Sequence, residues 1–366
     1  MLLPLFCAFA GLLAPRQGGE ALIHQTFANG EEGWAVVQAQ GKGGKVSVSH
    51  EVKRGDAPGS LKLDYSIAPG EITVASLPVA DEALKSMRSM RFWVRADHNG
   101  AVVFTVQEKD GGRYNAMFFA PKDAWQQVEL SMSDFTLSTD PGAPADPDGK
   151  LDPEKINSIA FTDLEQLLAQ NAQVATGLGI VKGDHSLYLS EFEASTGALP
   201  DAFAAKPGEY RLDTFSRPQC SWVGIGGGAF SQISGDPLGE KGIKVDYHVG
   251  PTHLMGALKF IQRKALVGTK YLNLHLASAK ACTLILQVEE EGGGKYNTVI
   301  ELPGGSTAKD QLFAFSDLKA SEDSHDTNGK LDLDQVKQII LIDVSGFVKT
   351  AEQDNTVWIG SIVAKK

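Results

Sequence analysis

The sequence predicts an all-β chain built as two tandem β-sandwich domains. Three observations carry that prediction. Apolar and polar residues alternate at period two through short runs, glycine-rich turns separate those runs, and the second half of the chain repeats the first. The chain has 366 residues, more than the roughly 150 of a common single domain. Its 39 glycines and 16 prolines fit many turns and few long helices.

Composition excludes several classes. Hydrophobic residues at 42 % and charged residues at 22 % mark ordinary globular material. The formal charge of −11 repels phosphate backbones, so nucleic acid is excluded as a partner. Three cysteines are too few for a disulfide scaffold.

The chain opens on an apolar run, Met1 to Ala14, with Leu2, Leu3, Leu5, Phe6, Phe9, Leu12 and Leu13. It is shorter than the roughly 20 residues a membrane span needs. It suits a secretory signal over residues 1–21, with small residues at Ala14 and Ala21 for cleavage, although no Lys or Arg precedes the run. The expectation is a secreted or periplasmic protein with no membrane span.

The repeat keeps its order at an offset near 180 residues. Leu61–Tyr65 (LKLDY) matches Ile243–Tyr247 (IKVDY), and Gly111–Asn115 matches Gly293–Asn297. Ser133–Phe135 matches Ser316–Leu318, Asp148–Asp152 matches Asn328–Asp332, and Leu187–Leu189 matches Val357–Ile359. Each copy opens with an aromatic pair, Phe27 with Trp34 and Phe215 with Trp222. The domains are therefore placed at 24–195 and 212–366, with an Ala-, Gly- and Pro-rich linker at 196–211.

Within each copy the alternation assigns faces. Phe92, Val94 and Ala96 oppose Arg91, Trp93 and Arg95, and Val102, Phe104 and Val106 oppose Val103, Thr105 and Gln107. In the second copy Leu272, Leu274 and Leu276 oppose Asn273 and His275, and Leu284, Leu286 and Val288 oppose Ile285, Gln287 and Glu289. Such runs belong to antiparallel sheets with one face in a core. Asp110-Gly111-Gly112 and Glu291 to Gly294 read as hairpin turns. Asp152-Pro153-Glu154 reads as an N-cap and helix start, as does Asp332 with Leu333 and Asp334; a buried strand follows in each copy.

The order of these motifs resembles a known family. Leu61–Tyr65, Met90–Asp97 (MRFWVRAD), Phe104–Asn115 (FTVQEKDGGRYN), Asp123–Phe135, Asp146–Phe161 and Ser186–Ala194 look like the galactose-binding-like jelly roll. They are most similar to the family 11 carbohydrate-binding modules and the complex I intermediate-associated protein family. The resemblance implies two antiparallel sheets, with any ligand on the concave one or on the loops at its rim. The family often has an Asp after the final apolar pair, where Ser190 and Gly360 stand here, so a structural calcium is not carried over.

A glycan site is expected on the concave face of the first domain, from Arg91, Trp93 and Arg95 with Thr105 and Gln107 on a strand taken as a near neighbour, and Asp64 on another. An indole covers the apolar face of a sugar, while planar Arg, Asp and Gln groups bond its hydroxyls. The bland alternative has Trp93 covered by a loop and the arginines paired with carboxylates. The second copy lacks the matching Trp and arginines and is read as structural. No cofactor is expected, except that Asp146, Asp148 and Asp152 around Gly149 offer oxygens for a structural calcium; a tight turn with an N-cap explains the same residues without metal. Cys220 and Cys282, present only in the second copy, are a possible disulfide or two buried thiols. Gly-x-Ser-x-Gly, His-Glu-x-x-His, Cys-x-x-Cys and P-loop motifs are absent. The expected protein is a non-catalytic binder of a polysaccharide or glycan. The alternative is a structural or assembly protein that uses the same fold for protein contacts.

Overall fold

The computed structural model describes residues 19–139, 142–178, 180–349 and 352–366. The apolar leader, residues 1–18, lies outside the described residues. Among the described residues no helix is long and apolar enough to cross a membrane.

The first half folds as β1 (Ala21–Gln25), β2 (Ala35–Gln40), β3 (Lys45–Ser49), β4 (Ser60–Ile67), β5 (Ile72–Pro78), β6 (Ser89–Ala96), β7 (Gly100–Glu108), β8 (Gly111–Ala120), β9 (Gln126–Ser131), β10 (Thr136–Leu137), β11 (Ile156–Asp163) and β12 (Gly183–Ser195), with short helices α1 (Leu164–Leu168) and α2 (Ala172–Gly177) before β12. One sheet runs β3-β4-β12-β6-β9, with β1 also on β12; the other runs β10-β8-β7-β11-β5-β2.

The second half comprises β13 (Ala204–Lys206), β14 (Glu209–Arg211), β15 (Val223–Ile225), β16 (Ala229–Gly235), β17 (Glu240–Val249), β18 (Met255–Phe260), β19 (Tyr271–Ser278), β20 (Cys282–Glu290), β21 (Lys295–Leu302), β22 (Lys309–Ala314), β23 (Lys319–Ala320), β24 (Val336–Asp343) and β25 (Gln353–Lys365), with α3 (Ser345–Lys349) before β25. Its sheets run β16-β17-β25-β19-β22, with β14 also on β25, and β23-β21-β20-β24-β18-β15. The strand order of the first half thus recurs in the second.

The alternation places side chains as the sequence predicts. Phe92 of β6 and Phe104 of β7 are buried and stack across the sandwich at 4.7 Å, and Phe192 of β12 joins them. Leu272, Leu274, Leu276, Leu284, Leu286 and Val288 are buried in the second core. Gly112 makes the β7–β8 turn possible. Its φ is +39°, and a Cβ there would stand 2.6 Å from the Glu108 carboxylate and 2.7 Å from the Tyr114 ring.

Buried polar pins hold the sheets in register. The Tyr65 hydroxyl donates to Asp163 Oδ2 at 2.6 Å, and Asp163 Oδ1 accepts from Glu165 N at 2.8 Å, capping α1. Tyr247, Asp343 and Ser345 repeat this at 2.5 and 2.7 Å beside α3. Burial next to a carboxylate pushes both phenols well above their ordinary pKa.

Three sequence expectations change. Residues 204–211, read as linker, form the β13–β14 hairpin on the edge of β25; Tyr210 points into the second core and contacts Phe203 at 5.5 Å between ring centroids. Strand β1 begins at Ala21, inside the stretch read as a signal, and pairs with β12. Asp152 stands at the N-cap position of a 3-10 turn but makes no capping bond, because its carboxylate pairs with Lys155 at 2.9 Å.

The two sandwiches pack together. Ala101, Val223, Leu258 and Ile340 form a shared apolar cluster, so the outward face of the β7–β8 sheet meets the second half. The Gln219 amide donates to Glu129 O at 2.8 Å and accepts from Glu129 N at 3.0 Å, pairing with the edge of β9 as a strand would. Arg217, 3 % exposed, pairs with Asp134 at 2.6 Å and donates to Ser131 Oγ at 2.8 Å. Arg217→Ala strands a buried carboxylate and is expected to cost about 3–5 kcal/mol. Urea denaturation measures the loss, and an unchanged midpoint contradicts this role for the pair.

Candidate functional sites on the outward faces

Trp93 lies on the outward face of β6, half-buried and clear of the core, between Ser190 of β12 and Gln127 of β9. Period-two alternation puts Arg91 and Arg95 on the same face. The Arg54 guanidinium stacks over the indole at 3.9 Å from its centroid and pairs with Glu191. Arg91 pairs with Glu129 at 3.1 Å and Arg95 with Asp123 at 2.9 Å. Asp64 accepts from Lys62 at 2.7 Å and from Ser186 Oγ at 2.7 Å, which holds the Lys62 ammonium above its usual pKa. The face therefore offers the Trp93 indole, with Tyr188 of β12 in register with Arg95, framed by fixed guanidinium and carboxylate groups.

Thr105 and Gln107 do not join this face. Strand β7 lies in the opposite sheet, because the chain crosses the sandwich between β6 and β7. Thr105 Oγ1 donates to Asn115 Oδ1 at 2.8 Å. The Gln107 amide donates to Gly111 O at 2.6 Å and Gly112 O at 3.1 Å, tying the hairpin. Alternation assigns each strand a wet and an oily side but does not say which sheet it enters.

The second half, read from sequence as structural, carries its own outward indole. Trp358 of β25 lines an open groove of about 760 Å³ with Pro237, Leu238, His275 and Ser306. His275 Nδ1 stands 2.9 Å from Asp310 Oδ1 and Nε2 3.0 Å from Leu238 O. The signal lay in the repeat, where Trp358 falls opposite Tyr188, one strand from the compared positions. Between the two halves a further cavity of about 630 Å³ is lined by Val103, Met117, Leu137, Leu164, Phe260 and Arg263.

The acidic loop residues have protein partners. Asp146 accepts from the Tyr114 hydroxyl, Asp148 Oδ1 from Lys150 N at 2.9 Å, and Glu108 Oε1 from Asp152 N at 2.6 Å. Tyr296, Asp326, Glu290 and Asp332 repeat the scheme. Cys220 and Cys282 are both free and buried. The Cys220 thiol donates to Trp222 O, and Cys282 lies by Ser278 and Asn355, so each thiol points to its own partner rather than to the other. Burial pushes both thiols up to about 12.

Sequence reasoning missed one cluster. Asp97, His98 and His185 each offer a ligand atom within 4.8 Å of the others. His98 Nδ1 and His185 Nδ1 stand 2.9 and 3.0 Å from Asp97 Oδ1. Burial lowers the His98 pKa, but the Asp163 and Asp97 carboxylates outweigh it and raise it to about 10. Burial pushes Glu165 up to about 8. The two histidines are 87 positions apart, and no local motif joins them.

Arg54→Ala uncovers the Trp93 ring. Acrylamide quenching of tryptophan fluorescence is expected to rise, with a stability change within about 1 kcal/mol for this half-exposed pair. Unchanged quenching contradicts the stacked arrangement.

No curated protein matches the chain. Among solved structures, the family 11 carbohydrate-binding module from Clostridium thermocellum, in complex with a β-1,3-1,4-mixed-linked tetrasaccharide, is 17% identical, covers 44% of this chain and 97% of its own, and has a TM-score of 0.36. The CBM22-1-CBM22-2 tandem domain from Paenibacillus barcinonensis Xyn10C is 14% identical, covers 95% of this chain and 98% of its own, and has a TM-score of 0.31. The first sandwich, over residues 19–172, matches the family model of the carbohydrate binding domain (family 11).

Proposed function

We propose that the protein is an exported, non-catalytic carbohydrate-binding protein of two tandem jelly-roll sandwiches, with a glycan held on the outward face that carries Trp93. The observation that carries this reading is the match of the first sandwich to a carbohydrate binding domain. The chemistry of the face supports it. An indole offers a flat apolar platform to the C–H face of a pyranose, and Arg91, Arg95 and Asp64 stand at its margins to bond hydroxyls. Their existing ion pairs orient these groups before a ligand arrives, which limits the side-chain entropy lost on binding. Arg54 is the group a sugar ring displaces from the indole. A partly exposed cation–π contact is worth only about 0.5–1 kcal/mol, less than a well-stacked aromatic contact returns. The Trp358 groove is a second aromatic platform of the same kind on the second sandwich.

A glycan array, followed by affinity electrophoresis in the polysaccharide it selects, tests the proposal. Trp93→Ala is expected to weaken binding by about tenfold or more, with Trp358→Ala affecting a separate and additive contribution. Binding that survives in the double variant rejects the two outward faces as the site. No signal with any glycan rejects the function.

A further inference from the structure

The corner where β6 turns into β7 gathers side chains that sugar binding leaves unused. Asp97 and His98 lie in that turn, His185 lies on β12, and Asp163 and Glu165 lie at the start of α1. Each imidazole has an oxygen near its outer nitrogen. His98 Nε2 stands 3.0 Å from Asp163 Oδ2, and His185 Nε2 stands 3.0 Å from Val181 O. Both Nδ1 atoms face Asp97 Oδ1. A cation that displaces the Nδ1 protons takes these three atoms as its donors, all within 4.8 Å of one another. The Asp97 carboxylate is held in place by Ser186 N, which donates to its Oδ2 at 2.8 Å.

Two further observations point the same way. Glu165, 4 % exposed, leaves Oε2 without a hydrogen-bond partner, 3.8 Å from His98 Nε2. Three carboxyl groups are thereby gathered around two imidazoles in a largely buried corner. The second sandwich closes the corresponding corner without any imidazole. Asn355 pairs in register with Tyr247, as His185 does with Tyr65, and its Oδ1 accepts from Lys280 N at 2.9 Å. Packing of this corner therefore does not require histidine.

We propose that Asp97, His98 and His185 bind a divalent transition metal of the zinc class through Asp97 Oδ1 and the two Nδ1 atoms, with solvent completing the coordination. Two imidazoles and one carboxylate suit zinc better than calcium, which takes six to eight oxygens. Asp163 and the Val181 carbonyl are the outer partners that orient the ligating rings. The Asp97 side chain, 38 % exposed, leaves the site open to solvent on one side.

Zinc titrated into the intact chain against a chromogenic chelator tests this. The expected result is one zinc per chain. His185→Asn, the residue the second sandwich carries in that register, is expected to lower affinity by more than about 100-fold, beyond the loss of an outer partner, while the metal-free protein melts as before. Cobalt(II) added to the unaltered protein gives a readout that needs no variant, namely visible absorption bands of a histidine-ligated ion. Absence of zinc uptake, equal affinity in His185→Asn, no cobalt bands, or equal competition by calcium each overturns the proposal.

Discussion

A β-sandwich spends its inward faces on itself, so whatever the protein does must be done with outward faces, edges and loops. Here one outward face is spent as well. The second sandwich packs over the β7–β8 sheet of the first and seals the edge of β9 through the Gln219 amide. Buried Arg217 then crosses to Asp134 and Ser131. Arg217 and Asp134 are both buried and paired with each other, so removing either one in place leaves the other's charge uncompensated. The Trp93 face lies on the other sheet of the first sandwich and is not covered in this way.

The same economy separates what the two halves share from what they do not. Tyr65 with Asp163 and Tyr247 with Asp343 make the same buried bond, and Lys62 with Asp64 matches Lys244 with Asp246. The phenol–carboxylate bonds sit where an unpaired group is costly, so neither partner changes freely. The outward positions are not bound by that cost. His275 stands where the repeat pairs it with Trp93, Trp358 where it pairs with Tyr188, and Asn355 where it pairs with His185. Different side chains on one scaffold are how a duplicated fold acquires more than one binding chemistry.

Much of this was legible before any coordinates. The period-two runs from Arg91 to Ala96 and from Val102 to Gln107 place every inward residue correctly, because a pleated strand admits only two sides. Their grouping into one site fails, since alternation is blind to the crossing that sends β7 into the opposite sheet. The loop that looked like a linker hides Tyr210, whose burial depends on the edge of a strand some 150 residues later in the chain. The Asp97, His98 and His185 corner was invisible for the same reason. His185 lies 87 positions beyond His98, and only the pairing of β6 with β12 brings it to Asp97 and His98.

That pairing also connects the corner to the Trp93 face. Arg95 precedes Asp97 by two residues on the chain leaving β6, and Tyr188 follows His185 by three on β12, with Arg95 and Tyr188 in register across the two strands. An ion held between Asp97 and His185 cross-links the ends of these two strands, where the sheet otherwise relies on backbone bonds and on the Asp97 contacts with Ser186 and His185. Such a clip restrains fraying at the sheet end and narrows the positions open to Arg95 and its neighbour Trp93. In the second sandwich Asn355 and Lys280 close the matching corner with an ordinary hydrogen bond, so the proposed clip belongs to the first sandwich alone.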